Sequence, residues 1–289
     1  MNRYIALKTI VEYGNFSRAA DVLGYTQPAV SQMVTSLEKE LGVKLLERSR
    51  TGAVLTEEGK AIYPYIEQTL VANARIREKA EEVQGLETGT VRIASISSVA
   101  THWLPPVIKR FHEAHPGIRF EVRISNFAGI LDLIRTGNVD FAVTTVESAV
   151  NYETIPLKEG RMLAVLPEGH RLAKDSIVQL KDLKEEYIML ERGDFHEPTI
   201  ALADLGIYPD TPADIENDDH AIMAMVEQGL AVSILSELML ERNSFHIVCL
   251  PTEPPVVRKL GAVSRDFTAM PAAAKRFLEE LKANTDELK

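Results

Sequence analysis

No disulfide can close within this chain, because Cys249 is its only cysteine. It lies in the apolar run FHIVCLP, which reads as a buried strand, so its expected role is inert packing rather than redox sensing. No apolar run approaches the length of a membrane span, and the opening residues MNRYIALK lack the apolar core of a signal peptide, so the cytoplasm is the expected location. Gly85, Gly89 and Gly117 form no phosphate loop. His112 and His115 in RFHEAHPG are spaced HExH, whereas a zinc-protease helix needs HExxH. His196 and His220 stand beside Glu197 and Asp219, yet no nucleophile accompanies them at a usable spacing. No catalytic activity, metal site or cofactor is therefore expected. The net charge of −10 argues against a protein that coats nucleic acid indiscriminately. The charge is uneven, however. Residues 1–60 hold 8 Lys and Arg against 7 Asp and Glu, while residues 89–289 hold 21 against 30. Only the N-terminal part suits a phosphate backbone.

What is present begins with Phe16 to Arg50, which reads as two short helices around a tight turn and then a hairpin. Ser17 offers an N-cap hydroxyl, Ala19, Ala20, Val22 and Leu23 an apolar face, and Gly24 a permissive stop. Thr26 caps the second helix and Pro28 falls in its first turn, where a missing N–H costs nothing. Val30, Val34, Leu37 and Leu41 recur on one inward face, so Gln27, Ser31, Gln32 and Thr35 face outward. Short polar side chains near a helix N-terminus suit base edges in a major groove. The alternative is a solvated face of a small helical domain. Leu46 to Leu55, with Arg48 and Arg50 in a basic, Gly-containing tip, reads as a β-hairpin wing whose arginine can enter a narrow minor groove.

The segments AADVLGYTQPAVSQMVTSLEKELGVKLLER and LTEEG resemble the N-terminal signature of LysR-type transcriptional regulators, and the remaining length and pattern are similar to that family. The resemblance implies a winged helix-turn-helix, a linker helix that dimerises, and a two-lobed effector-binding domain like a periplasmic solute-binding protein. By position, Gln27, Pro28, Ser31 and Gln32 match the family's DNA-reading residues and Arg50 its wing arginine. Gln32 stands where the family often has Arg, and Thr35 and Ser36 where further basic residues are common. The partners so implied are operator DNA, a small-molecule effector, a second copy in a homodimer and by resemblance a homotetramer, and RNA polymerase.

From Thr56, an N-cap followed by Glu57 and Glu58, one long helix is expected. Gly59 takes the place where a capping box would want Glu or Gln, and Pro64 should kink the helix near its start. Ile62, Ile66, Thr69, Asn73, Ile76, Ala80 and Val83 follow a heptad seam that asks for a partner helix. A rod of roughly 45 Å is too long to be covered by a sixty-residue domain.

Beyond Gly89, strands alternate with helices. TVRIAS, FEVRISN and VDFAVTT read as strands, with helices beginning near Ser98 and in AGILDLIRTG. MLAVLPEG, EYIMLERG and AIMAMVEQGLAVSIL repeat the pattern, which implies two α/β lobes, each with a largely parallel sheet, and a cleft between them. The expected fold is thus α+β and multi-domain. It comprises a winged helix-turn-helix at 1–58, a linker and dimerisation helix at 59–88, and an effector-binding domain at 89–289. Lobe I is expected at about 89–160 and 266–289, and lobe II at about 161–265. Ligands of open α/β sheets bind beyond the carboxyl ends of strands. Ser97 and Ser98, Asn126 and Phe127, Thr144 and Thr145, Glu191 to Gly193 with Arg192, and Asp218 to His220 occupy such ends. Ser98 also matches the family's effector-contacting hydroxyl, and Phe127 stands where the family more often has a small hydroxyl residue. Each has a plainer reading, since Ser98, Asp218 and Asp219 can be N-caps and Thr144 can simply end a strand. The alternatives to a regulator are a solute-binding protein, which would have an export signal and no winged helix, and an enzyme with an accessory DNA domain, which would need a catalytic constellation.

Overall fold

The computed structural model describes residues 1–49, 52–84, 88–147, 149–190, 197–215 and 218–285, with backbone only at Arg48 and Ser49. The chain divides into two compact units, residues 1–84 (with 136–138) and the remainder.

The first unit opens with α1 (Asn2–Tyr13), α2 (Phe16–Leu23) and α3 (Gln27–Leu41), each closed by a glycine in the left-handed region. The N-cap of α2 is Asn15, not Ser17. Its Oδ1 accepts hydrogen bonds from Ser17 N at 2.8 Å and Arg18 N at 3.2 Å, so the helix starts before Ser17 can cap it. Ala19 and Ala20 are buried and Leu23 packs at the core edge, but Val22 lies 54% exposed, off the inward stripe. Along α3, Val30, Val34 and Leu37 are buried as expected, whereas Leu41, the last helical residue, is exposed. Strands β1 (Leu46–Ser49) and β2 (Gly52–Leu55) form the antiparallel wing. Gly52 is required there. Its φ is +143°, and a Cβ would sit 2.1 Å from Gly14 O, the acceptor of Ala53 N.

Helix α4 (Glu57–Val83) follows, capped by Thr56, whose Oγ1 accepts from Gly59 N at 2.8 Å, and it runs through Pro64. Glycine stands at 59 because a Cβ would lie 2.2 Å from Leu45 O, so no capping-box side chain fits. Ile62 and Ile66, expected on the dimer seam, instead pack in this unit's own core with Ala6, Leu7 and Ile10. The first three turns of a helix rooted in a small domain meet that domain first. Farther along, Asn73 is half-buried, and Ile76 and Val83 are 70% and 78% exposed.

The second unit begins with β3 (Gly89–Ser95), α5 (Ser97–His102), α6 (Leu104–Ala114), β4 (Ile118–Ile124), α7 (Phe127–Arg135) and β5 (Phe141–Thr145). The single helix expected from Ser98 is broken at Trp103, where Pro105 and Pro106, lacking N–H groups, start α6. There follow β6 (Glu153–Pro167), β7 (Val178–Gln179), β8 (Ile188–Met189), α8 (Glu197–Asp204), α9 (Asp219–Glu227), β9 (Val232–Ser236), α10 (Glu237–Leu240), β10 (Ile247–Ser264) and α11 (Ala272–Ala283). The sheet runs β4-β3-β5-β10-β6-β9-β8. It is mixed rather than largely parallel. β3 pairs in parallel with β4 and β5, and β8 with β9, but β10 runs antiparallel to β5 and β6, and β6 to β9. The cause is the pair of long strands. β6 and β10, 15 and 18 residues, each run through both halves of the unit. Ile155, Leu157, Leu260 and Ala262 pack in the first lobe's aromatic core with Phe111, Phe141 and Phe277, while Met162, Ala164, Leu166 and Val256 pack in the second lobe's aliphatic core. The end of β10 therefore belongs with the first lobe, although it falls within the 161–265 span.

Candidate functional site

In the first unit, the caps fix α3 and leave one face to solvent. Thr26 Oγ1 accepts from Ala29 N at 3.4 Å, Pro28 stands in the first turn, and the inward triad anchors the opposite side. Pro28, Gln32 and Thr35 are exposed, while Gln27 and Ser31 are half-buried. Arg3, which sequence reasoning missed, reaches this helix from α1, with Nη1 3.4 Å from Ser36 Oγ and an ion pair to Glu40. A groove between α3 and β1 is lined by Ser31, Thr35, Glu38, Lys44, Leu46 and Glu47. Arg48 follows on β1, and Arg50 lies outside the described residues.

In the second unit the three parallel strands set the geometry. Ser95 pairs with Ile124 on one side and Val143 on the other, so the carboxyl ends of β3, β4 and β5 share one edge. Ser97 and Ser98 and Asn126 and Phe127 follow that edge, and Thr144 and Thr145 are the last residues of β5 on it. Asn126 acts as a cap, with Oδ1 accepting from Gly129 N at 2.9 Å, and Phe127 opens α7. Ser98 is inside α5 and 3% exposed, so it is not the N-cap, which is Ile96. The Thr144 hydroxyl is buried without a hydrogen-bond partner among the described residues. A buried hydroxyl left so carries a free-energy cost that a bound polar group would relieve.

Thr145 connects this edge to the second lobe. Its Oγ1 donates to Glu197 Oε1 at 3.1 Å, and the same oxygen lies 3.5 Å from Arg258 Nε. Glu197 starts α8 and Arg258 lies on β10, with side chains 16% and 14% exposed, so the pair is largely withdrawn from water. Asp219 joins them electrostatically. Burial pushes its carboxyl above the usual range, partly opposed by Arg258 and His220. Asp218 caps α9 by accepting from Ala221 N at 3.0 Å, and the exposed His220 lies 6.3 Å from the Phe245 ring. Arg192, with Glu191 to Gly193, lies outside the described residues. The sequence marks Glu197 only as a neighbour of His196 and does not single out Arg258. The available signal was a charge inside the strand-like run VVRKL.

Among the described residues no cluster could hold a metal ion, and no helix is long and apolar enough to cross a membrane. Residues 84–286 match the LysR substrate binding domain, and residues 1–60 match the bacterial regulatory helix-turn-helix protein of the lysR family. The HTH-type transcriptional regulator YvbU of Bacillus subtilis is 29% identical over 94% of this chain and 94% of its own length. YwqM of the same organism, also an HTH-type transcriptional regulator, is 31% identical over 82% of each chain. The fold is shared with CbnR solved in complex with its target DNA, with a TM-score of 0.72, 19% identity and coverage of 98% of both chains. The chain therefore belongs to the LysR family, as a transcriptional regulator and not an enzyme, joining a DNA-binding helix-turn-helix to an effector-binding domain.

Proposed function

We propose that this regulator reads its operator through Gln27, Pro28, Ser31, Gln32 and Thr35 of α3, with Arg48 and Arg50 of the wing reaching the neighbouring minor groove. The observation that carries this reading is α3 itself, anchored by Val30, Val34 and Leu37 and leaving Gln32 and Thr35 exposed. Gln pairs with adenine edges and hydroxyls with several partners. CbnR, with the same fold, was solved on its target DNA. The working unit is a homodimer joined through the outward seam of α4 at Asn73, Ile76 and Val83, assembled further into a homotetramer in the cytoplasm, where it meets RNA polymerase. Ile76 and Val83 support the seam because large apolar side chains that far exposed on one helix favour a partner. The winged unit spans 1–58, the linker helix 59–88 and the effector domain 89–289.

The effector occupies the edge formed by Ser97, Ser98, Asn126, Phe127, Thr144 and Thr145, with Arg192, Asp218 and His220 as further contacts. Support comes from the Thr144 hydroxyl, buried without a hydrogen-bond partner among the described residues, and from the Thr145–Glu197–Arg258 contact beside it. An effector that prefers one lobe arrangement by a few kcal/mol shifts the population of DNA-binding states. The test is a gel-shift titration on DNA upstream of the protein's own coding sequence. Ser31→Ala with Gln32→Ala should lose about 1–3 kcal/mol of specific affinity for each bidentate contact removed. Unchanged affinity would remove α3 as the reading helix. Ser98→Ala should leave DNA binding intact and weaken the effector response, and a normal response in a reporter strain would return Ser98 to a packing role.

A further inference from the structure

Glu38 lies on α3 one turn before its end, on the side facing the wing. A single carboxylate oxygen, Oε1, accepts two successive backbone N–H groups, Leu45 N at 2.8 Å and Leu46 N at 3.2 Å. Leu45 is fully buried and Leu46 7% exposed, so without Glu38 these donors would face desolvation with no acceptor. Leu45 and its neighbour Lys44 are held from the other side. Thr56 Oγ1 donates to Lys44 O at 2.7 Å, Thr56 N donates to Leu45 O at 3.1 Å, and Gly59 closes against Leu45 O. The segment 44–46 is thus a junction: the N–H groups of Leu45 and Leu46 are taken by α3, and the carbonyls of Lys44 and Leu45 by the N-cap of α4. β1 leaves directly from it.

The groove between α3 and β1 adds the functional direction. Glu38 lines it together with Ser31 and Thr35, the side chains proposed to meet base edges. A loose carboxylate there would repel phosphates. One held by two N–H groups acts as a fixed spacer between helix and wing. We propose that Glu38 is a positioning residue for operator discrimination: its carboxylate sets the wing against α3 so that both engage the duplex in one register. Charge-assisted bonds of this kind are short and directional. Their loss lets the wing drift while the helix stays folded on Val30, Val34 and Leu37. Contacts that depend on simultaneous engagement then weaken, and phosphate contacts, which tolerate drift, do not.

The inference rests on α3 as the reading helix, and the experiment separates the two. The full-length protein selects a duplex from a random-sequence library, and binding of that duplex and of a scrambled one is followed by fluorescence anisotropy at fixed salt. Glu38→Gln keeps an acceptor oxygen at the same reach and should discriminate as the parent does. Glu38→Ala should lose about tenfold in discrimination, the order of one mismatched base pair, with affinity for the scrambled duplex and the circular dichroism spectrum little changed. Glu38→Asp keeps the charge but falls short by a methylene, and should behave like Glu38→Ala. If Glu38→Ala does not fold, the Asp and Gln variants decide. Parent-like discrimination by Glu38→Asp, or loss by Glu38→Gln equal to that of Glu38→Asp, overturns the proposal. Gln32→Ala tests the underlying assignment separately. If that variant binds like the parent, the reading helix is wrong whatever Glu38 does.

Discussion

In residues 1–84 the side chains proposed to read DNA stand outside the core, with Gln32 and Thr35 exposed above the buried Val30, Val34 and Leu37. In the other unit the candidate effector groups at the edge of the parallel strands lie within or beside the packing, although Asp218 and His220 are exposed. Thr144 and Ser98 are 1% and 3% exposed, and Glu197 and Arg258 are nearly withdrawn from water. An outward site can change its side chains with little effect on folding, so operator preference is free to vary on a constant scaffold. A site made of buried polar groups shares its energetics with the fold, so occupying it alters the balance between lobe arrangements. That sharing is what an effector switch requires.

The largest test asks whether the two units are energetically separate. Phe277 packs edge-on against Phe111 and Phe120, at ring distances of 5.3 Å and 4.9 Å, and anchors the first lobe. Phe277→Ala should remove about 3–5 kcal/mol, and Leu37→Ala, in the winged core, about 2–5 kcal/mol. Denaturant unfolding followed by circular dichroism should show each substitution moving a different transition. One common transition shifted alike by both would break the comparison.

A smaller effect sharpens it. Glu197→Ala removes the ion-pair partner of Arg258 and an acceptor of Thr145, leaving a largely buried guanidinium with only the more weakly coupled Asp219. A loss of about 1.5–3 kcal/mol from the effector unit is expected, against about 0.5 kcal/mol or less for Gln32→Ala on the winged unit. Equal, negligible losses in thermal unfolding would mean that the effector cluster behaves as a surface.

Much of the first unit was legible because local rules governed it. Thr26, Pro28, Gly24 and Thr56 cap or close helices within one turn of themselves, and the 46–55 hairpin shows in its own residues, although Gly14 and Glu38 help to hold it. Ser17 misled because Asn15, two residues earlier, offered the same chemistry sooner. The reach of α4 into its own core was not legible, since a heptad pattern cannot say which partner takes Ile62 and Ile66. In the second unit the strands were legible, but β10 inserting antiparallel between β5 and β6 depends on residues a hundred apart. For the same reason Arg258 and Glu197, sixty-one positions apart by their numbers, gave no local sign of meeting.

Proton linkage follows from the same contrast. Burial raises the Asp219 carboxyl above its ordinary value of 3.8, so the folded chain holds that proton more tightly than the unfolded chain. This contribution to stability is fully present below the unfolded value and is lost as pH rises toward the folded one. Above that window the charged group remains at a disadvantage. Asp219→Asn should remove this part of the pH dependence and be more stable than the parent at neutral pH. Denaturant midpoints measured at several pH values would show it, and parallel curves for parent and variant would contradict it.

Cys249 gives the smallest expected effect and isolates what charge adds to burial. It is half-buried on β10, opposite Val165 on β6, and burial alone raises its thiol above the ordinary 9.0. Asp219 is raised by burial too, but its raised value lies above an acidic starting point and so affects stability as the carboxyl ionises. The thiol is already neutral at physiological pH, and burial merely keeps it so. The thiolate is the reactive form, so peroxide should leave DNA affinity unchanged and iodoacetamide should react far more slowly than with free cysteine. Cys249→Ala should shift stability by about 1 kcal/mol or less. Alkylation at the free-thiol rate at pH 7 would show that the strand opens readily, and the contrast between a packed effector unit and an outward DNA-reading face would then weaken at this strand.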